Sequence, residues 1–104
     1  MAQVIWTNSA LNTLDEIAEY IASHNPAAAQ KLVAKIFHTV DRLEMFPESG
    51  RKPPELENFY YREVIVNPCR IFYKIEQDQV RVLHVMRQEQ QLRRYLFTED
   101  HDEI

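Results

Sequence analysis

The spacing of apolar residues changes several times along the chain, and each change marks a new element. Val4-Ile5-Trp6-Thr7 is a short run of strand formers that ends in Thr7-Asn8-Ser9, three residues able to accept a backbone N–H at a helix start. From Ala10 onward, Leu11, Leu14, Ile17, Ala18 and Ile21 recur at helical spacing, while Asp15, Glu16 and Glu19 fall on the other side. That pattern predicts a helix to about Ser23. Asn25 before Pro26 opens a second helix, because Asn caps well and Pro loses nothing at the first helical position. Its apolar stripe is Leu32, Val33, Ile36, Phe37, Val40 and Leu43, so the two helices are expected to form an antiparallel hairpin turned towards a common sheet.

The segment Phe46 to Pro54 holds the single Gly and three of the five prolines, which stops the helix and predicts a loop of defined shape. Three strand-like runs follow, Phe59 to Val66, Arg70 to Glu76 and Val80 to Met86, with only short polar or Asn-Pro connections between them. They predict an antiparallel meander. Gln88 to Phe97 is rich in helix formers and predicts a short last helix. The fold class is therefore α+β: strand, antiparallel helix hairpin, three-stranded antiparallel meander and short C-terminal helix. The first strand can join either edge of the meander. There are no internal repeats.

Alternation places Arg62, Val64 and Val66 on one face of the second strand and Tyr61, Glu63 and Ile65 on the other. Helices cover one face only. The other either exposes aromatic and aliphatic residues mixed with arginines, as a partner surface does, or lies under loops and the last helix. The same reading groups His84 with Val80, Val82 and Met86, among apolar side chains.

At 104 residues the chain has room for one core, and 45% apolar residues with 11% aromatics belong to a folded domain. The net charge of −4 argues against a generic nucleic-acid binder, but Glu99, Asp100, Asp102 and Glu103 carry it all. Residues 99–104 are thus expected to be a disordered acidic tail on a domain spanning 1–98. Arg62, Arg70, Arg81, Arg87, Arg93 and Arg94 fall in the second half, which can present a basic face. Cys69 is the only cysteine, which excludes an internal disulfide and a thiolate metal cluster within the chain and is expected to be a small packed residue. No metal or cofactor is called for. Without a secretion signal or a membrane-length apolar run, the expected location is cytoplasmic.

The order and spacing of Phe46-Pro47, Gly50-Arg51, Tyr61-Arg62-Glu63 and Arg70-Ile71-Phe72-Tyr73-Lys74-Ile75, preceded by Ile5-Trp6-Thr7, Ile17-Ala18-Glu19-Tyr20-Ile21 and Asn25-Pro26, resemble the RelE/ParE toxin family, also described as plasmid stabilisation proteins. The likeness covers about residues 3 to 96. It implies the toxin of a type II toxin–antitoxin pair, neutralised by a cognate antitoxin protein. RelE-like members cleave messenger RNA in the ribosome by promoting attack of a ribose 2′-OH on the next phosphate, which needs a base, an acid and cations. ParE-like members instead act on DNA gyrase and trap its cleaved-DNA state.

The residues favour the ParE branch. A nuclease would have to use Lys52, Arg62, Arg87 and Tyr95, and each has a structural alternative: a commonplace loop cation, a carboxylate-paired strand arginine, an arginine that cannot accept a proton, and an apolar helix residue. Arg87 stands where many members carry a His, a departure from the pattern. Arg51, Lys52, Arg62, Arg70, Arg87, Arg93 and Arg94 are the candidate contacts to gyrase or to the antitoxin, with no catalytic residue of the chain's own.

Overall fold

The computed structural model describes residues 2–56 and 59–90. Strand β1 (Gln3–Trp6) leads directly into helix α1 (Asn8–Ala22), whose start is fixed by Thr7: its Oγ1 accepts from the Ala10 amide at 3.1 Å and donates to the Val82 carbonyl at 2.8 Å. One side chain thus caps the helix and ties it to the sheet. Helix α2 (Pro26–Asp41) begins as expected, with the Asn25 side chain accepting from the Ala28 amide at 3.1 Å and Pro26 in the first helical position. It passes into a 3₁₀ turn at Arg42–Glu44.

Two further short 3₁₀ turns, Pro47–Ser49 and Pro54–Leu56, shape the Pro-rich connection. Strands β2 (Tyr61–Val66), β3 (Cys69–Glu76) and β4 (Gln79–Arg87) then form the antiparallel meander. β2 starts two residues later than the sequence pattern places it. The sheet order is β1-β4-β3-β2, with β1 parallel to β4, which settles where the first strand joins.

The larger core lies between the helix hairpin and one sheet face, where Leu14, Ile17, Leu32, Ile36, Val40 and Leu43 meet Ile71, Tyr73, Val80, Val82 and Val85. Each such apolar side chain contributes about 1.5–3 kcal/mol when taken out of water. Trp6 and Phe37 pack at its margin with their rings tilted by 51° and centroids 4.9 Å apart.

The opposite face is not an open surface. Tyr61, Phe72, Leu83 and Met86 are buried there in a second, smaller core with Leu56 and with partly buried Phe59. The Pro54–Leu56 turn drops Leu56 onto the sheet, so of the two expectations for this face, cover by a loop is the one realised.

One alternation is corrected. The register slips between Phe72 and Tyr73 of β3, which pair with His84 and Val82, so Leu83 is the extra residue of a β-bulge. Val80 and Val82 face the helices, but beyond the bulge Val85 takes that side, while His84 and Met86 turn to the second core. His84 stacks on Phe72, with centroids 6.4 Å apart. The Thr13 hydroxyl of α1 accepts from the Val85 amide just past the bulge, at 3.3 Å.

The predicted helix does not start at Gln88. β4 runs through Arg87, and 88–90 form a turn in which Gln90 Oε1 accepts from the Arg87 amide at 2.8 Å. The rest of that helix and the acidic tail lie outside the described residues.

Candidate functional site

The residues of the sequence motif converge around the loop 47–51, mostly from its underside. Tyr73 is fully buried on the helix side of β3, and its hydroxyl accepts from the Gly50 amide at 2.9 Å and donates to the Pro47 carbonyl at 2.6 Å. Arg62, its cross-strand partner on β2, donates through one Nη to the carbonyls of Gly50 and Glu48, at 2.8 and 3.1 Å. Gly50 is required by this close approach and not by its backbone angles, which are φ −71° and ψ 152°. A Cβ there would stand 2.5 Å from the Tyr73 hydroxyl and 2.7 Å from the Glu63 carbonyl.

On the other side of β2, Arg51 exchanges both backbone hydrogen bonds with Glu63, at 3.0 and 2.8 Å, and so extends the sheet by one residue. The Glu63 carboxylate is buried and receives two guanidinium Nε donors, Arg51 at 2.7 Å and Arg70 at 2.6 Å. Arg70 in turn grips Glu55 through both Nη groups, each at 2.9 Å, and lies over the Phe72 ring. A buried charge in a domain this small needs this degree of pairing. The hydrogen bond from Arg70 holds the Glu55 carboxyl down at about 2, and Glu55 in return raises Arg70 above its ordinary value.

What faces outward is smaller. The Arg51 side chain is 60% exposed although its Nε is engaged, and Lys52 beside it is exposed. Arg51 borders an open depression of about 560 Å³, lined also by Pro54, Glu55, Ile65, Arg70 and Gln88. Arg87 sits elsewhere, at the far end of β4, stacked over Tyr20 of α1 at 4.7 Å and bridged to Glu89 at 3.2 Å. The structure therefore brings Arg51, Lys52, Arg62 and Arg70 around one loop, turns Arg62 and Arg70 inward, and leaves Arg87 on another part of the surface. Arg93, Arg94 and Tyr95 lie outside the described residues.

Sequence reasoning missed Tyr73, Glu63 and Glu55 as members of this arrangement. One signal was present: alternation put Glu63 on a face with Tyr61 and Ile65, and a carboxylate in that company requires a cation. Nothing local pointed to Tyr73 reaching a loop 23 residues earlier.

A second feature is a shallow apolar groove of about 500 Å³ on the outer side of the hairpin, floored by Ala18, Ala22, Ala29, Val33 and Ala34. Cys69 is buried, and burial pushes its thiol up to about 11, which makes it a packed residue and not a reactive thiolate. Among the described residues no group of three or more His, Cys, Asp or Glu is placed to hold a metal ion, and no helix is long and apolar enough to cross a membrane.

With its hairpin over a β1-β4-β3-β2 sheet, the chain has counterparts among known proteins. The family described as "ParE toxin of type II toxin-antitoxin system, parDE" matches residues 4–92. The chain is 41% identical to the putative toxin Y4kP of Sinorhizobium fredii over 91 residues, covering 86% of this chain and 91% of that one. It is 36% identical to toxin RelE2 of Caulobacter vibrioides over 86 residues, 82% and 93% of the two chains. Among solved structures, a chain of the chromosomal ParDE toxin–antitoxin system from P. aeruginosa superposes with a TM-score of 0.71 at 22% identity, covering 84% of this chain and 96% of that one. The chain belongs to the ParE toxin family of the RelE/ParE superfamily. It is the toxin of a type II toxin–antitoxin system, and such a toxin has a cognate antitoxin as partner.

Proposed function

We propose that the toxin acts on DNA gyrase as a protein-directed inhibitor, without bond-breaking chemistry of its own. The observation that supports this most is the use of Arg62 and Arg70. An mRNA endoribonuclease would need cations free to bind the scissile phosphate, whereas Arg62 donates to two loop carbonyls and Arg70 to two carboxylates. Arg87, another cation of the nuclease reading, lies over the Tyr20 ring and is bridged to Glu89. The remaining outward charge, Arg51 with Lys52, is a rigid two-cation contact suited to an acidic protein surface.

The antitoxin is expected to seat an apolar helix in the groove between α1 and α2, where small side chains let another backbone come close. The site acts in the cytoplasm, where gyrase is. Purified toxin added to a supercoiling reaction should block gyrase, and cognate antitoxin should restore activity. Unimpaired gyrase together with cleavage of translated messenger RNA would overturn the proposal in favour of the ribosome-dependent nuclease.

A further inference from the structure

We infer that Tyr73 is a positioning residue for target inhibition: with Arg62 it fixes the 47–51 loop so that Arg51 and Lys52 meet the target in one orientation. The inference rests on the reading of Arg51 and Lys52 as the target contact. Tyr73 and Arg62 are a cross-strand pair, and together they place four hydrogen bonds on the loop backbone, at Pro47, Glu48 and twice at Gly50. The Arg51–Glu63 backbone pair then locks the next residue.

These polar groups serve the loop alone. Phe in place of Tyr73 would fill the same core volume with no hydroxyl to satisfy, and a buried hydroxyl is stabilising only when its partners are in place. The hydroxyl's two partners are both loop backbone groups. Burial pushes the phenol up from its ordinary value, so it remains a donor to Pro47 at neutral pH. The outcome is an exposed pair of cations on a tethered backbone, while Tyr73, which holds it from beneath, is fully buried and does not touch the target. A contact ordered before binding loses less conformational freedom on binding, which shows directly as potency.

The test compares wild type, Tyr73→Phe, Lys52→Ala and the double variant, with Arg62→Gln as a second lesion in the same clamp should Tyr73→Phe fail to fold. Three readouts are taken: amide hydrogen exchange at Gly50 and Arg51, the toxin level giving half-maximal growth arrest in cells, and inhibition of purified gyrase. Tyr73→Phe should stay folded, exchange at Gly50 at least about tenfold faster, and lose about tenfold in potency. In the Lys52→Ala background the same change should cost at most about half of that on a logarithmic scale, because both act through one contact. Full potency of Tyr73→Phe, unchanged Gly50 exchange, or losses that simply multiply would each overturn the inference. Growth arrest by wild type without gyrase inhibition would sink the gyrase reading only, and the coupling between Tyr73 and Lys52 is then read in growth arrest. A wild type inert in both assays would overturn both.

Discussion

Arg70 Nε lies 2.6 Å from Glu63 Oε1, with the arginine side chain 9% exposed and the carboxylate not at all. This pair anchors the second core beneath the Pro54–Leu56 turn, since Arg70 also holds Glu55. Removing the Glu63 charge leaves Arg70 with Glu55 as its carboxylate and breaks two charge-assisted hydrogen bonds, from Arg51 and Arg70. Glu63→Gln should therefore destabilise the toxin by about 1–3 kcal/mol in urea unfolding. Glu63→Leu combined with Arg70→Met should cost clearly less than the sum of the two single changes, because the pair is replaced by apolar groups of similar size. Additive losses would show that the two side chains are not energetically coupled.

The Glu55 carboxyl titrates at about 2 in the folded chain against an ordinary value of 4.5, chiefly because of its hydrogen bond from Arg70. A carboxylate with a depressed value binds its proton less readily folded than unfolded. Its stabilising contribution is present above pH 4.5 and fades as the pH falls towards 2. With the Glu55 side chain 44% exposed, solvent screening limits that contribution to roughly 1 kcal/mol. Urea midpoints measured from pH 6 to pH 2 should show wild type and Glu55→Gln converging as the pH drops, with wild type the more stable at pH 6. Parallel curves would contradict the assignment.

Gly50→Ala tests the close packing of the loop. The added Cβ would meet the Glu63 carbonyl at 2.7 Å and the Tyr73 ring edge at 2.7 Å, neither of which can move without disturbing the sheet. The expected cost is about 1–3 kcal/mol, read as a lowered Tm. A neutral result would mean that the loop adjusts freely, contrary to its four tethers from Tyr73 and Arg62.

Ala22→Arg places a long charged chain in the groove between α1 and α2, at a helix end that tolerates arginine. If the antitoxin seats there, neutralisation in a growth-rescue assay should weaken by about tenfold or more, with the Tm unchanged. Full rescue would move the antitoxin to another surface.

Much of the fold was legible because its signals are local. The caps at Thr7 and Asn25, the helical stripes, and the Pro-rich stop after Phe46 each act within a few residues. The bulge at Leu83 was not legible, since one extra residue in β4 reverses every later side chain and leaves no mark on the local pattern. The parallel pairing of β1 with β4 is likewise a long-range outcome, as is the cover that Leu56 provides to the second core. For the candidate site, the sequence named Arg51, Lys52, Arg62 and Arg70, which the fold brings around one loop, and said little of their direction. Arg62 read as a contact residue or a carboxylate-paired strand arginine and Arg70 as a contact residue, yet Arg62 takes the carbonyls of Gly50 and Glu48 and Arg70 takes Glu55, all from a loop whose path no local pattern specifies.

The central claim is that Arg51 and Lys52, on their fixed loop, act on gyrase. It is tested most directly by the accumulation of cleaved gyrase–DNA complexes with wild-type toxin and with Lys52→Ala, a change that leaves every loop tether in place. Wild type should accumulate cleaved complexes that antitoxin prevents, and Lys52→Ala should need about tenfold more protein for the same effect. No cleaved complexes with a wild-type toxin that arrests growth would contradict the account.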